Sequence, residues 1–215
     1  MSIAQNPLTG PMKNSMANFT MYTYKGMNIV RSKAFKIKDP KTEKQLNMRA
    51  RMSRIAEMYH KLSPIISLGF PEREERQSPQ NMFVSANFNT AFVMADTVQV
   101  LSYPLMMLAK GSLPPVTIPE ATTDTEGLML SYDAGALLPD VTATDEIIAC
   151  ALLKSDALLM VRQFIGHEPI GTIQLKHPDL LTEEVVCCYV FVRSRDGEKA
   201  SDSVWVEVTK LKDSL

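Results

Sequence analysis

Val185-Val186-Cys187-Cys188-Tyr189-Val190-Phe191-Val192-Arg193 runs directly into Ser194-Arg195-Asp196-Gly197-Glu198-Lys199. The first stretch is apolar, β-branched and aromatic, and turn-forming residues follow it, which predicts a strand. The second holds an Asp-Gly pair, a strong signal for a tight turn between antiparallel strands. Val204, Val206 and Val208 then face one way, with Trp205 and Glu207 on the other side. Cys187 and Cys188 are adjacent in the strand and therefore point to opposite faces, one of them toward the core.

Working outward, further strand candidates recur at 116–118, 127–132, 146–153, 158–163 and 171–175. Lys154-Ser155-Asp156-Ala157 suits a hairpin between two of them. Short strands at this density predict an antiparallel β-sandwich of immunoglobulin or fibronectin type over 111–215. An open sheet backed by a helix is the competing architecture. Pro114, Pro115 and Pro119 mark a linker or an edge and separate this half from residues 1–110.

The front half reads differently. Phe19 to Tyr24 alternates apolar or aromatic with small residues, Lys25-Gly26-Met27-Asn28 makes a turn, and Ile29 to Ser32 returns, followed by a basic arm over 33–38. A two-stranded hairpin is marginal in water and must dock on something. Thr42 and Gln45 form a capping box for one long helix. Met48, Met52, Ile55, Tyr59 and Leu62 fall on one apolar stripe, while Lys44, Arg51, Arg54 and Lys61 lie on another. Ser63-Pro64 is expected to end or kink this helix. Met82 to Ala95 reads as a second helix and Val98 to Tyr103 as a strand. The fold expected is mainly β with one long helix (α+β).

The net charge of −1 hides an asymmetry. Residues 1–62 carry 12 Lys/Arg against 3 Asp/Glu, a net +9, whereas residues 110–215 carry 9 against 17, a net −8. Unlike ends favour head-to-tail contact between copies, which builds a ring or a filament. The residues expected to touch another subunit or nucleic acid are Lys33, Lys36, Lys38, Lys44, Arg51, Arg54 and Lys61. Phosphate contact without base readout would be nonspecific and salt-sensitive.

Signals for chemistry are sparse. His60, His167 and His177 lack metal spacing to another ligand. Cys150, Cys187 and Cys188 read as reduced, mostly buried thiols, although a bridge from Cys150 to either of the others is thinkable across a sandwich. No phosphate loop is present, and the sequence implies neither metal nor cofactor. No apolar run approaches the roughly 18 residues of a membrane span, and the start does not read as a secretory signal.

Several stretches resemble an uncharacterised family of about two hundred residues from Bacteroidetes and their phages. They are Asn6-Pro7-Leu8-Thr9-Gly10-Pro11, Tyr24 through Ser32, Lys41-Thr42-Glu43-Lys44-Gln45-Leu46 with Arg49, Leu62 through Phe70, and Tyr189 through Gly197 leading to Ser201-Asp202-Ser203-Val204. The middle of the chain matches poorly. The resemblance carries no catalytic residues. It implies a structural component of a tailed phage, crAss-like ones included. The expected function is thus a non-enzymatic virion protein, a ring or collar subunit near portal and tail. Its partners would be other virion proteins, copies of itself and, nonspecifically, packaged DNA. It would reside in the virion, and in the host cytoplasm during assembly, with no membrane contact. The alternative is a bacterial β-sandwich module that binds a glycan or a protein.

Overall fold

The computed structural model describes residues 2–4, 14–16, 18–33, 39, 41–74, 77–95, 98–124, 127–135, 144–166, 170–181 and 183–210. The chain divides into two compact units, 1–45 and 46–215. It is mostly β, with two helices and several antiparallel sheets. The composition shift at 110–111 falls within the second unit.

The first unit is a four-stranded antiparallel sheet in the order β1-β4-β3-β2. Its strands are β1 (Ser2–Ala4), β2 (Asn14–Met16), β3 (Phe19–Tyr24) and β4 (Met27–Ser32). The expected hairpin is its centre. Lys25 and Gly26 both have positive φ, 47° and 74°, so a two-residue turn matches the twist of the strands. Among its described side chains only Asn28 and Ile29 are buried.

Helix α1 (Glu43–Gly69) begins in this unit and continues into the second. The Gln45 amide donates to Thr42 Oγ1 at 3.4 Å, the capping contact expected from sequence. Pro64 does not end the helix. Its ring is on the exposed side, and Ile65 and Ile66 beyond it are fully buried. Proline costs one backbone hydrogen bond, whereas each buried isoleucine contributes about 1.5–3 kcal/mol, so the last turn stays helical.

The second helix is shorter than expected. α2 spans Pro79–Asn87, capped by Ser78. Asn87 is fully buried and turns the chain away from the helix: its amide donates to Met107 O at 2.8 Å, and its Oδ1 accepts from Met107 N at 2.7 Å. Residues Phe92–Ala95, expected to be helical, form β5, which pairs antiparallel with β6 (Val98–Leu101). Pro104 then opens a short 3-10 turn, Tyr103–Leu105, where a strand was expected to end.

Two four-stranded sheets follow. One has the order β11-β8-β7-β14 and the other β10-β9-β12-β13. The strands are β7 (Thr117–Asp124), β8 (Gly127–Asp133), β9 (Glu146–Leu153), β10 (Leu158–Phe164), β11 (Ile170–Leu175), β12 (Val185–Arg193), β13 (Val204–Val206) and β14 (Thr209–Lys210). All their pairings are antiparallel except β14 with β7.

Two cores flank the β9–β12 pair. Ile147, Ala149, Ala151 and Leu153 of β9, with Cys188, Val190 and Val192 of β12, pack into one core against Leu128, Leu130, Ile173 and Leu175 of the opposite sheet. The alternate residues Ile148, Cys150, Leu152, Cys187, Tyr189 and Phe191 pack into a second core with Ile55, Leu62, Ile65 and Ile66 of α1 and Phe83 of α2. Both faces of the β9–β12 pair are therefore core, and both Cys187 and Cys188 are buried, not one of them.

The half of α1 from Ile55 onward packs on this sheet. Lys61 reaches the β9–β10 turn, where its Nζ lies 2.6 Å from Asp156 Oδ1. At the other end, Lys110 N donates to Gly69 O at 3.0 Å. The approach at Gly69 is close: a Cβ there would lie 2.3 Å from Leu108 O. Gly69→Ala is expected to destabilise the fold by about 1–3 kcal/mol through overpacking, read from urea unfolding. A change within about 0.5 kcal/mol would show that helix and segment separate without cost.

Candidate functional site

Of the seven basic residues expected to make external contacts, three are engaged internally. Arg51 donates from Nε to Gln99 Oε1 on β6, and its guanidinium lies 5.4 Å from the Phe92 ring on β5. Arg54 pairs with Glu57 one turn along α1 at 3.2 Å. Lys61 pairs with Asp156, whose hydrogen bond raises the lysine pKa against a small opposing effect of burial. Lys33 and Lys44 are exposed, while Lys36 and Lys38 lie outside the described residues. Arg51 thus links α1 to the β5–β6 hairpin and Lys61 links it to the β9–β10 turn, while the Arg54 side chain stays exposed.

The apolar stripe of α1 also divides. Ile55 and Leu62 are buried, but Met48 and Met52 on the same stripe are 44% and 49% exposed. The sheet ends before them. Arg51 lies ten residues before Lys61, about 15 Å further along the helix axis, and there the β5–β6 hairpin meets the helix. Phe92 pairs with Leu101 and Met94 with Gln99, so these four share the hairpin face that meets Arg51. Phe92 and Leu101 pack on the helix-side core, whereas Met94 is 63% exposed. Val93 and Val100 pair on the opposite face and are exposed as well. Three exposed methionines thus border Arg51. Sequence periodicity placed Met48 and Met52 on the right stripe, but it carries no information about where the covering sheet stops.

A second feature sits at the end of the sandwich that carries the β12–β13 turn. A cavity of about 500 Å³ is lined by Leu113, Thr144, Asp145, Ser194, Arg195, Asp196 and Lys199. The turn is rigidly built: Lys199 N donates to Ser194 Oγ at 2.9 Å and Glu198 N to Asp196 Oδ1 at 2.9 Å. Asp145 is buried and accepts from Arg195 N at 3.3 Å. Charges of both signs and two hydroxyls line the opening, alongside the apolar Leu113.

A model of a family of unknown function (DUF6266) matches residues 12–207. The chain belongs to that family. Nothing among the curated proteins or the solved structures matches it. The family match agrees with the resemblance to an uncharacterised family and extends through the middle of the chain.

In this family member burial raises the pKa of the three thiols and of Tyr189. All three cysteines are free and buried. Cys150 and Cys187 face the helix-side core from neighbouring strands of one sheet, so they do not link the two sheets. Burial pushes the Cys187 and Cys188 thiols up to about 12 and raises Cys150 well above its usual value. Burial likewise raises Tyr189, whose hydroxyl donates to Tyr103 O at 2.7 Å. His60 is exposed with its ring 5.9 Å from Tyr59, and His167 lies outside the described residues. Among the described residues no group of three or more His, Cys, Asp or Glu could hold a metal ion, and no helix is long and apolar enough to cross a membrane. The native protein is expected to leave an aromatic disulfide reagent unreacted near neutral pH and to release three thiols once denatured. Rapid native labelling of even one would contradict this packing.

Glu72 joins the end of α1 to the sandwich. Its carboxylate accepts from Ser112 N at 2.8 Å, Ser112 Oγ at 3.0 Å and Ala200 N at 3.3 Å. Burial acts to raise its pKa, but these bonds and the Lys199 charge prevail and lower it. The stability Glu72 adds is present above the unfolded value of about 4.3 and is lost as pH falls through the lower folded value. Glu72→Gln should therefore be less stable than wild type near neutral pH, with the gap closing in acid. A gap independent of pH in urea titrations would show that the carboxylate charge plays no part.

Proposed function

We propose that the chain is a non-enzymatic structural subunit that works through surface contact with other chains. The observation that carries this reading is the row of exposed large apolar side chains on the overhanging half of α1 and on the β5–β6 hairpin. Contiguous exposed apolar surface on a soluble domain marks an interaction site, and methionine suits one because it adapts to irregular partners. The first unit adds support: among its described side chains only Asn28 and Ile29 are buried, so these contribute little core.

We read the sandwich as immunoglobulin-like. The order β11-β8-β7 opposite β10-β9-β12-β13, with consecutive strands crossing between sheets, supports this. Phage membership rests on the resemblance described above: the assembly would be a tailed-phage virion, and the position a ring or collar near portal and tail. Nonspecific contact with packaged DNA would draw on the front of the chain, where Lys33 and Lys44 are exposed, since Arg51, Arg54 and Lys61 have internal partners.

A second reading, a module that binds a glycan or a protein, is favoured by the polar cavity beside Asp145 and Arg195. Glycan-array binding by the full chain, lost in Arg195→Ala, would support it over the first.

Mass spectrometry of purified virions should find the protein at a fixed stoichiometry. Deleting residues 1–40 should abolish incorporation while the 46–215 unit stays folded by circular dichroism. Normal incorporation of the truncated chain, or absence of the protein from particles, would contradict the proposal.

A further inference from the structure

We infer that the methionine-lined face formed by α1 and the β5–β6 hairpin docks on a second copy of this chain, head-to-tail, against the acidic 110–215 half of that copy. The inference rests on the reading of the chain as a structural subunit and names the surface and the occupant.

The face is a continuation of the helix-side core. Met48 and Met52 extend the stripe of Ile55 and Leu62 beyond the sheet, and Met94 extends the hairpin face that already packs Phe92 and Leu101. The same apolar surface is thus covered over one half of α1 and open over the other. Arg51 in its middle is held by Gln99 and Phe92, so the face is pre-shaped and little side-chain freedom remains to be lost there on contact.

Charge selects the occupant. Residues 46–62 hold four Lys/Arg against one Asp/Glu, a net +3, while residues 110–215 are net −8. A twofold contact would set this net positive segment of one copy against the same segment of the other, and like charge across an interface opposes docking. The acidic half of a neighbouring copy supplies the opposite sign instead. That half includes Glu120 and Glu207, both exposed. A contact between two different surfaces leaves one of each free on every copy, so it propagates until a ring closes or a filament grows.

The test is sedimentation velocity of the full chain over a concentration series, comparing wild type with Met52→Glu/Met94→Glu. Both positions are exposed, so the double variant should keep the wild-type circular dichroism, and Met52→Leu is the conservative control. Wild type and the control should form species larger than a dimer. The double variant should need at least about tenfold higher concentration, a loss of about 1.4 kcal/mol. Raising salt from about 0.1 M to about 1 M, which shortens the screening length from about 10 Å to about 3 Å, should weaken wild-type assembly. Because the double variant keeps its acidic half, adding it to wild type should cap growing ends and shorten the assemblies. Wild type that stays monomeric, or that stops at a dimer, overturns the inference. So does a double variant that assembles like wild type; in that case the chain still self-associates and the structural-subunit reading stands with a different face. A chain monomeric alone but present in virions overturns only the self-contact.

Discussion

Residues Ile147 through Leu153 and Cys187 through Val192 are buried whichever way their side chains point. Two adjacent strands with no solvent-facing side must be covered twice, and that requirement organises the 46–215 unit. The β11-β8-β7-β14 sheet covers one face; α1, α2 and the segment through Leu108 cover the other. Neither cover is optional, because exposing either face would bring large apolar side chains such as Phe191 or Val190 into water, at about 1.5–3 kcal/mol for each large one. The sandwich and the helical layer thus share the strands between them and should unfold together.

Connections outside the strands secure this arrangement. Asn87 clamps Met107 and lets the chain leave α2 and return toward the sheet. Tyr189 carries a hydroxyl into the helix-side core and finds Tyr103 O. Glu72 gathers Ser112 and Ala200, segments far apart in sequence, at the end of α1. Each satisfies a polar group that burial would otherwise leave costly. Lys61 with Asp156 is more exposed, and such a pair adds at most about 1 kcal/mol; it orients the helix rather than holding it down.

Much of this was legible in local sequence. The β12 strand and its Asp-Gly turn, the Lys25-Gly26 hairpin and the Thr42 cap were readable because each depends on neighbours in the chain. The choice between a sandwich and a helix-backed sheet was not, since alternation cannot distinguish a strand with one core face from a strand with two when both sets of residues are apolar. Ser63-Pro64 misled because local geometry says nothing of the burial gained by Ile65 and Ile66. The segment 92–95 was read as helix because the partner that makes it a strand, Val98–Leu101, lies after it. The basic stripe pointed outward by composition, yet Arg51 and Lys61 found partners 48 and 95 residues away. The uncovered methionines and the polar cavity beside Asp145 are products of tertiary layout, with no motif to announce them.

The functional reading follows from the same constraint. A sheet that needs a helical cover holds the buried half of α1, and in the proposed reading the exposed half of α1 is the surface offered to other chains. Native-state hydrogen exchange of the full chain tests the constraint most directly. Amides of β9, β12 and the buried half of α1, 55–69, should exchange slowest and with one common free energy, equal to that of global unfolding. Exchange of the helix at a distinctly lower free energy, with β9 and β12 still protected, would mean that the sandwich stands without its helical layer.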